Sequence, residues 1–432
     1  MQITIVGGGS RQWGPTLVAD ILRTPSLGDV DLVLEDVDPT WLPKVEDYTR
    51  RLAAHLGVGA TVRTTSDQRA ALDGADFVVV TISTGGFDSM RHDLEVPERH
   101  GIRQSVGDSV GPGGISRALR NIPVLVGIAR DMEEMCPDAW LLNITNPMTC
   151  LTRAVNREST IKAVGVCHEV VIMGWLLAIA CGVPADVVRP TIVGINHLPL
   201  ITALEIDGDD GFGRIAAARD DPKAAWFVEQ HALKLALFDR HGVLPAAGDR
   251  HVAEFFPSVL TEESGWGKAW GIELTDIAER EEHERGFRAS LDATLAGDKP
   301  FPTHPSGEMV APIIDSITTG ARRDLPLNLP NAGQAADLPT AVVVETMCVV
   351  DGDGVRGGEP VSAPPVPTEW LRRHVAVQEL VVEAAVSGDR ELAREAFHLD
   401  PLAGRGDLRD TDAMVDELLA ATAPWLGYLR PA

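Results

Sequence analysis

The stretch that decides the fold is Gln2-Ile-Thr-Ile-Val-Gly-Gly-Gly-Ser10, in which apolar and β-branched residues lead into Gly7, Gly9 and Ser10. A second apolar run, Val30-Asp-Leu-Val-Leu-Glu-Asp36, ends in carboxylates. Such glycines let the backbone approach a pyrophosphate at a helix N-terminus. An acid after the second strand accepts a hydrogen bond from a ribose hydroxyl. The pattern therefore predicts a βαβ dinucleotide site, and Asp36 favours NAD because a carboxylate there repels a 2′-phosphate.

The alternative interpretation of this segment is an ordinary tight turn between a strand and a helix. Gln12 stands where the strict GxGxxG pattern has its last glycine, although Gly14 lies close by. Two features favour the nucleotide site: the helix-compatible stretch over 16–22, and Asp36 at the expected distance after the second strand.

Strands and helices alternate along the first part of the chain. Continuous β-rich runs at 75–82, 139–145 and 161–166 are typical of strands buried on both faces of a parallel sheet, and 115–136 has helical spacing. Beyond residue 193 the segments are longer, with Gly-, Pro- and Asp-rich connectors. We therefore expect an α/β protein like lactate and malate dehydrogenase. Its N-terminal NAD-binding Rossmann-like domain, a doubly wound parallel sheet, covers 1–193, and a mixed α+β domain for substrate and metal binding and for oligomerisation covers 194–432.

Composition limits the partners. The chain has 432 residues and a formal net charge of −25, which argues against nucleic acid or an anionic membrane surface as a partner. We expect no membrane span and no signal peptide, because no apolar run is long enough and the first strand starts at residue 2. Five cysteines, an odd number without a framework spacing, predict reduced thiols and a cytoplasmic location.

Cys167 and His197 are the informative pair of metal-binding residue types. Cys167 follows the apolar residues of the run Val-Gly-Val-Cys-His-Glu-Val, and His197 ends Val-Gly-Ile-Asn-His. A thiolate and an imidazole from neighbouring strand ends can share one transition metal and leave positions open for substrate. A structural cysteine and histidine at loop starts are the alternative.

A series of motifs in order makes the chain resemble the family 4 glycoside hydrolases, the NAD-dependent glycosidases, along nearly its whole length. Besides the glycine-rich start, the motifs are Val110-Gly-Pro-Gly-Gly114 followed by Ala-Leu-Arg-Asn-Ile-Pro, Cys136-Pro-Asp-Ala-Trp-Leu-Leu-Asn-Ile-Thr-Asn-Pro147, Gly165-Val-Cys-His-Glu-Val170, Gly194-Ile-Asn-His197, Gly248-Asp-Arg-His-Val-Ala-Glu-Phe-Phe-Pro257 and Phe397-His-Leu-Asp-Pro-Leu402. The resemblance implies NAD and a divalent metal, Mn²⁺ by preference, held by Cys167 and His197.

The resemblance also implies a mechanism. Hydride transfer from sugar C3 to NAD⁺ makes C2–H acidic, a base removes that proton, and elimination expels the aglycone before water adds and the hydride returns. Asp249 is the candidate base, with a structural or hydroxyl-binding carboxylate as the alternative, and His168 is the candidate to assist the leaving group. The remaining predicted contacts are Asn146 toward the cofactor ribose or the sugar, and, toward the sugar, Asn196, Arg91, Asp108, Arg250 and His251.

The tetrad Cys167-His168-Glu169-Val170 resembles the α-glucosidase type of the family, so we expect a non-phosphorylated α-glucoside as substrate. An α-galactosidase or an α-glycuronidase of the same family is the alternative, and an ordinary lactate/malate-type dehydrogenase is a further one. The resemblance implies a homodimer or homotetramer.

Overall fold

The computed structural model describes residues 1–430, within which thirteen strands form one sheet. In chain order they are β1 (Gln2–Val6), β2 (Asp31–Glu35), β3 (Thr61–Thr65), β4 (Phe77–Val80), β5 (Trp140–Asn143), β6 (Lys162–Gly165), β7 (Val188–Ile195), β8 (Leu198–Ile206), β9 (Asp209–Asp210), β10 (Leu244–Pro245), β11 (Arg323–Pro330), β12 (Val343–Asp351) and β13 (Gly354–Gly357).

Helices cover both faces of the sheet. They are α1 (Trp13–Arg23), α2 (Leu42–Leu56), α3 (Gln68–Leu72), α4 (Gly86–Arg99), α5 (Gly111–Met135), α6 (Met148–Glu158), α7 (Glu169–Cys181), α8 (Gly211–Arg219), α9 (Ala225–Gln230), α10 (Ala232–His241), α11 (Asp249–Glu254), α12 (Ile277–Ala296), α13 (Val310–Thr319), α14 (Pro365–Ser387), α15 (Arg390–Leu399) and α16 (Leu408–Ala421).

The N-terminal half of the sheet is parallel, in the order β3-β2-β1-β4-β5-β6. This order confirms the predicted Rossmann-like sheet. Successive residues of β4 alternate between two apolar cores, with Phe77 and Val79 in one and Val78 and Val80 in the other. Both faces of the strand are buried, which explains its unbroken apolar sequence.

The C-terminal half continues the same sheet with antiparallel strands in the order β11-β12-β7-β8-β10, while β13 pairs with β12 and β9 with β8. It agrees with the predicted mixed α+β character. Residues 193 and 194 are consecutive within β7, and the predicted domain boundary there stays a prediction. Within residues 1–430 no helix combines the length and apolar character needed to cross a bilayer.

Candidate functional site

The glycines after β1 form a turn with no room for side chains. Gly7 has a φ of +86°, and a Cβ there would lie 1.9 Å from the Thr81 carbonyl oxygen. A Cβ on Gly14, in the first turn of α1, would lie 2.6 Å from the Gly8 oxygen. Gly14 therefore gives the close packing of helix on turn that the strict pattern assigns to the position of Gln12.

Asp36 closes this turn from the end of β2. Its Oδ2 accepts from Gly9 N at 3.1 Å and its Oδ1 accepts from Asp38 N at 3.0 Å. Ser10 Oγ accepts from Trp13 N at 3.1 Å, where α1 begins. Burial raises the pKa of Asp36, against the opposing effect of its backbone donors. The structure thus brings the predicted cofactor residues Gly9, Ser10 and Asp36 together at one turn.

His197 belongs to a cluster of titratable side chains from three parts of the chain. It lies between β7 and β8 with a φ of 65°, while Asp108 precedes α5 and His251 lies on α11. The ligand atoms of these three residues lie within 4.8 Å of one another, and the two imidazole centroids are 3.7 Å apart. Ser109 Oγ is 2.7 Å from His197 Nδ1. Imidazole and carboxylate groups are ligands that divalent transition metals accept.

The charge states of His197 and Asp108 favour the binding of a cation. Burial, reinforced by His251, lowers the pKa of His197 to about 3, so its imidazole is neutral and has a lone pair to donate. Burial raises the pKa of Asp108, but His197, His251 and Arg117 lower it by more, so the carboxylate is ionised. No group within residues 1–430 hydrogen-bonds the buried Nδ1 of His251.

Cys167 follows β6 and is not part of the group formed by Asp108, His197 and His251. The expectation that Cys167 and His197 follow neighbouring strands is wrong, because β11 and β12, which come from late in the chain, lie between β6 and β7. A paired row crosses these four strands through Gly165, Asn328, Glu345 and Gly194.

Glu345 in this row is a fully buried carboxyl near Cys167. Asn196 Nδ2 donates to Glu345 Oε2 at 3.3 Å. Burial raises the pKa of Glu345 to about 8, and burial together with Glu345 and Glu169 raises the pKa of the Cys167 thiol. Cys167 is therefore protonated in this arrangement, and a metal that bound it would displace the proton.

His168 is oriented by an acid from a distant loop. Its Nδ1 forms an ion pair with Glu308 Oε1. Glu308 N donates to Ser306 Oγ at 3.1 Å, and Ser306 N donates to Asp20 Oδ1 on α1 at 3.0 Å. Burial lowers the pKa of His168, but Glu308 raises it by more. Hydrogen bonds thus connect the predicted leaving-group residue to the helix of the nucleotide turn.

Asp249 begins α11, and each of its carboxylate oxygens faces a group of α10. Its Oδ2 accepts from Leu233 N at 2.8 Å, and its Oδ1 lies 3.7 Å from Lys234 Nζ. Glu169 Oε2 accepts from Gly248 N, one residue before Asp249, at 2.6 Å. Burial raises the pKa of Asp249 and lowers that of Lys234 to about 8. This buried group links the Cys-His-Glu motif to the Gly-Asp-Arg-His motif.

Asn146 lies beside the His197 cluster. Its Nδ2 donates to Asp108 Oδ2 at 3.3 Å, and its backbone oxygen accepts from Arg117 Nε at 3.0 Å. Its buried Oδ1 has no hydrogen-bond partner among the described residues. An acceptor in this position suits a sugar hydroxyl or a carboxamide of a nicotinamide ring.

Arg91 is not part of the His197 cluster, and the side chain of Arg250 hydrogen-bonds residues of two loops. Arg91 forms an ion pair with Glu281 at 2.7 Å and its side chain is 41% exposed. Arg250 donates to the Ser105 oxygen at 2.9 Å and to Thr275 Oγ1 at 3.1 Å. Their contacts with substrate stay predictions.

Sequence reasoning missed Lys234, Glu308 and Glu345. Lys234 interrupts an apolar helix segment and Glu345 an apolar strand, and a lone charged residue in an apolar run is a signal that would find both. Glu308 carries no local signal, because its partner His168 comes from a remote part of the chain.

The parallel sheet and its glycine turn define a dinucleotide-binding protein, and comparisons narrow the class. A family model described as Family 4 glycosyl hydrolase matches residues 2–182, and the model of the family's C-terminal domain matches 192–403. The chain therefore belongs to family 4 of the glycoside hydrolases, as its motifs predict.

Relatives with different activities match almost the whole chain. The α-galactosidase of Bacillus subtilis (strain 168) is 31% identical over 98% of this chain and 99% of its own. An α-galacturonidase of Thermoanaerobacterium saccharolyticum is 32% identical over 98% and 96%. The α-glucosidase of Erwinia rhapontici is 28% identical over 99% of both chains. Identity of this level does not select one sugar.

Solved structures confirm the fold. The lplD protein of Bacillus subtilis is 29% identical with a TM-score of 0.87, over 97% of this chain and 99% of that one. A 6-phospho-β-glucosidase of Thermotoga maritima, solved with manganese, NAD⁺ and glucose-6-phosphate, has a TM-score of 0.82 at 21% identity, over 98% and 99%. A malate dehydrogenase of Plasmodium falciparum, at 14% identity and a TM-score of 0.54 over 91% and 99%, shares the fold alone.

Glycosidases of family 4 use NAD and a divalent metal, which confirms these two predicted cofactors at the level of the family. The residues present fit both groups. The turn at Gly7 and Gly9 has no room for a Cβ, as a bound pyrophosphate requires. Neutral His197, with ionised Asp108 and unpartnered His251 beside it, is a suitable donor set for a divalent cation.

Proposed function

We propose that this chain hydrolyses a non-phosphorylated α-glycoside and that an α-glucoside is its preferred substrate. The observation that carries the proposal is the tetrad Cys167-His168-Glu169-Val170 together with the position of Glu169. The Glu169 carboxylate bonds Gly248 N at 2.6 Å, next to Asp249. Two carboxylates there disfavour a phosphate or a carboxylate on the sugar through like-charge repulsion.

An α-galactosidase and an α-glycuronidase are the second candidates within the family. Relatives named α-galactosidase and α-galacturonidase are 31% and 32% identical to the chain. The buried ammonium of Lys234 is the one feature of the Asp249 group that favours an anionic sugar. Glucoside, galactoside and uronide must therefore be compared directly.

The glycine turn after β1 and the neutral imidazole of His197 support the proposed cofactor sites. The proposed NAD contacts are Gly7, Gly9, Ser10, Asp36 and Asn146. We propose Cys167 and His197 as the protein ligands of Mn²⁺. When bound, NAD⁺ would supply a hydride acceptor for oxidation of the sugar at C3, and the metal would supply Lewis-acid stabilisation of the negative charge that develops on the sugar.

Asp249 and His168 have the proposed proton-transfer roles. The ketone at C3 acidifies C2–H, and Asp249 takes that proton while the electron pair stays on the sugar. His168, oriented by Glu308, assists departure of the aglycone oxygen from C1. The proposed contacts to sugar hydroxyls are Asn146, Asp108 and His251 at the His197 cluster, together with Asn196, which precedes His197. Arg91 and Arg250 are weaker candidates.

Assembly and location belong to the proposal as well. We propose a homodimer or homotetramer, which light scattering of the purified chain at several concentrations tests directly. The proposed location is the cytoplasm, because the five cysteines are free and Cys167 must be reduced to bind a metal.

The test is a panel of nitrophenyl α- and β-glucosides, α-galactoside, α-glucuronide, α-galacturonide and 6-phospho-α-glucoside. Each is assayed with NAD⁺, Mn²⁺ and a thiol reductant, and with each addition omitted in turn. We expect the α-glucoside to react fastest, activity to need all three additions, and no net NADH to form. A preference for the galactoside or a uronide replaces the sugar assignment and keeps the mechanism.

Isotopes test the mechanism itself. In D₂O the released sugar should carry deuterium at C2, because Asp249 exchanges its proton with solvent before returning it. A conventional two-carboxylate glycosidase never breaks the C2–H bond. Absence of deuterium at C2 contradicts the proposed mechanism, and stoichiometric NADH would indicate a lactate/malate-type dehydrogenase reaction instead.

A further inference from the structure

Lys234 is a buried cation to which the proposed mechanism assigns no role. Its side chain is 0% exposed and lies in the first turns of α10, between the buried residues Leu233 and Leu235. Among the described residues its Nζ has no hydrogen-bond partner, and the Asp249 carboxylate 3.7 Å away is its ion-pair partner. Burying an ammonium group costs several kcal/mol unless charge or ligand compensates it. A lysine at this buried position therefore requires a compensating charge or ligand.

The carboxylate that Lys234 faces is constrained from its other side. Leu233 N donates to Asp249 Oδ2 at 2.8 Å, and Gly248 N donates to Glu169 Oε2 at 2.6 Å. The second oxygen, Oδ1, is buried and has no hydrogen-bond partner within residues 1–430. Oδ1 is thus the oxygen of Asp249 that no described group hydrogen-bonds, and Lys234 is the charged group beside it.

We propose that Lys234 is a positioning residue for proton removal at C2, because its ammonium group holds Oδ1 of Asp249 in one orientation. This inference rests on the proposed function, in which Asp249 is the base. The C2–H bond breaks, the proton moves to Oδ1, and the electron pair stays on the sugar next to the C3 ketone. Lys234 transfers no proton; it fixes the acceptor before the transfer and is a counter-charge to the buried Asp249 and the partly buried Glu169.

The test uses the enzyme loaded with NAD⁺ and Mn²⁺ and α-glucoside deuterated at C2 or at C3. Lys234→Met keeps the length and removes the charge, so we expect kcat/KM to fall by about 10²-fold, the loss that a misplaced reacting group produces. Slower proton removal makes the C2 isotope effect larger and the C3 isotope effect smaller than in the wild type. Lys234→Arg, which keeps the charge, should recover part of the rate.

Matched controls separate positioning from folding. Arg219, the last residue of α8, forms an ion pair at 2.6 Å with the exposed Asp239 of α10. Arg219→Met therefore removes a cation that contacts α10 without touching the site, and we expect that variant to keep the wild-type rate and both isotope effects. If Lys234→Met fails to fold, Lys234→Gln, which keeps a hydrogen-bond donor, gives the same comparison, and thermal unfolding with NAD⁺ bound monitors the fold.

The outcomes are distinct. A Lys234 variant that loses rate with both isotope effects unchanged, or that keeps the wild-type rate, overturns the positioning role. A wild type with neither a C2 isotope effect nor deuterium at C2 overturns the proposed function instead. A larger C2 effect with a smaller C3 effect in the variant alone supports the inference.

Discussion

The nucleotide turn and the His197 cluster differ in the groups that form them: backbone atoms form the turn, and side chains form the cluster. In the turn, backbone atoms make the structure, since Gly7 N and Gly8 N both donate to the Glu35 oxygen, at 2.9 and 2.7 Å. In the cluster, titratable side chains from separate segments meet, as Asp108, His197 and His251 do within 4.8 Å. The turn is therefore sensitive to added volume and the cluster to a change of charge.

The difference also separates two kinds of binding. A turn without side chains accepts a pyrophosphate through N–H groups and a helix N-terminus, so NAD should bind whether or not the metal is present. The proposed metal ligands are His197 of the cluster and Cys167 outside it, and a metal would need a neutral imidazole and a deprotonated thiol, so metal binding should depend on pH and on reduction. The predictions below test whether the two regions respond separately.

The largest effect should come from Cys167→Ser. Loss of the thiolate ligand removes Lewis-acid stabilisation worth several kcal/mol, so activity should fall by about 10³-fold or more while NAD⁺ affinity is kept. Calorimetric titration with Mn²⁺ and with NAD⁺ measures both. Cys150→Ser is the matched control, since Cys150 is also a buried thiol but lies on α6.

The same experiment has a redox arm. Mild oxidation should inactivate the wild type, and thiols should restore it, because only the thiolate binds the metal. Activity that oxidant leaves untouched would show that Cys167 is not a ligand, and an equal loss of NAD⁺ affinity would show that the two sites are not independent.

Gly7→Ala should have the next largest effect, on the nucleotide side. A Cβ at Gly7 would lie 1.9 Å from the Thr81 oxygen at a φ of +86°, so NAD⁺ should bind about 10²-fold more weakly, while Mn²⁺ affinity stays near the wild-type value. Gly57→Ala is the matched control, because Gly57 also has a positive φ of +70° but meets no described atom within 4 Å. Equal NAD⁺ affinity in both variants would contradict the steric account.

Asp36→Ala should have a smaller and more selective effect. The variant loses the bond from Gly9 N at 3.1 Å and the repulsion of a 2′-phosphate, so NAD⁺ should weaken about tenfold and the preference over NADP⁺ should shrink. Binding of both dinucleotides, with exposed Asp38→Ala as control, measures this. An unchanged preference would transfer the ribose contact to Glu35 or Asp38.

The same contrast explains what the sequence could predict. The turn is encoded by consecutive residues, so its strand, glycines and closing acid were predictable, and the burial of both sheet faces at β4 followed from its apolar run. The insertion of β11 and β12 between β6 and β7 was not predictable, since it joins segments far apart in the chain. Glu308 and Glu345 pair with His168 and Asn196, which are remote in the chain, and no local pattern encodes these partners or the pairing of Lys234 with Asp249.

The smallest effect on turnover is expected from a substitution of Glu254. This residue contacts the backbone just before Asp108 but is not part of the His197 cluster. Its Oε1 accepts from Val106 N at 2.7 Å and from Gly107 N at 2.8 Å, just before Asp108. Burial raises the pKa of Glu254 to about 8, above the 4.5 of a free glutamate. The folded protein therefore holds this proton more tightly than the unfolded chain, and the stability it contributes is full below about pH 4.5 and is lost as pH rises toward 8.

Glu254→Gln tests this, because a glutamine oxygen accepts both amide bonds and cannot ionise. Denaturant unfolding at pH 5.5 and 8.5 should show the wild type losing up to a few kcal/mol more than the variant, since one pKa unit corresponds to about 1.4 kcal/mol. Groups common to both proteins, such as Glu35, cancel in this difference. Turnover of the variant at neutral pH should stay within about twofold, since the introduced amide would keep the Asp108 loop in place. A difference in stability that is the same at both pH values would mean that Glu254 is ionised throughout.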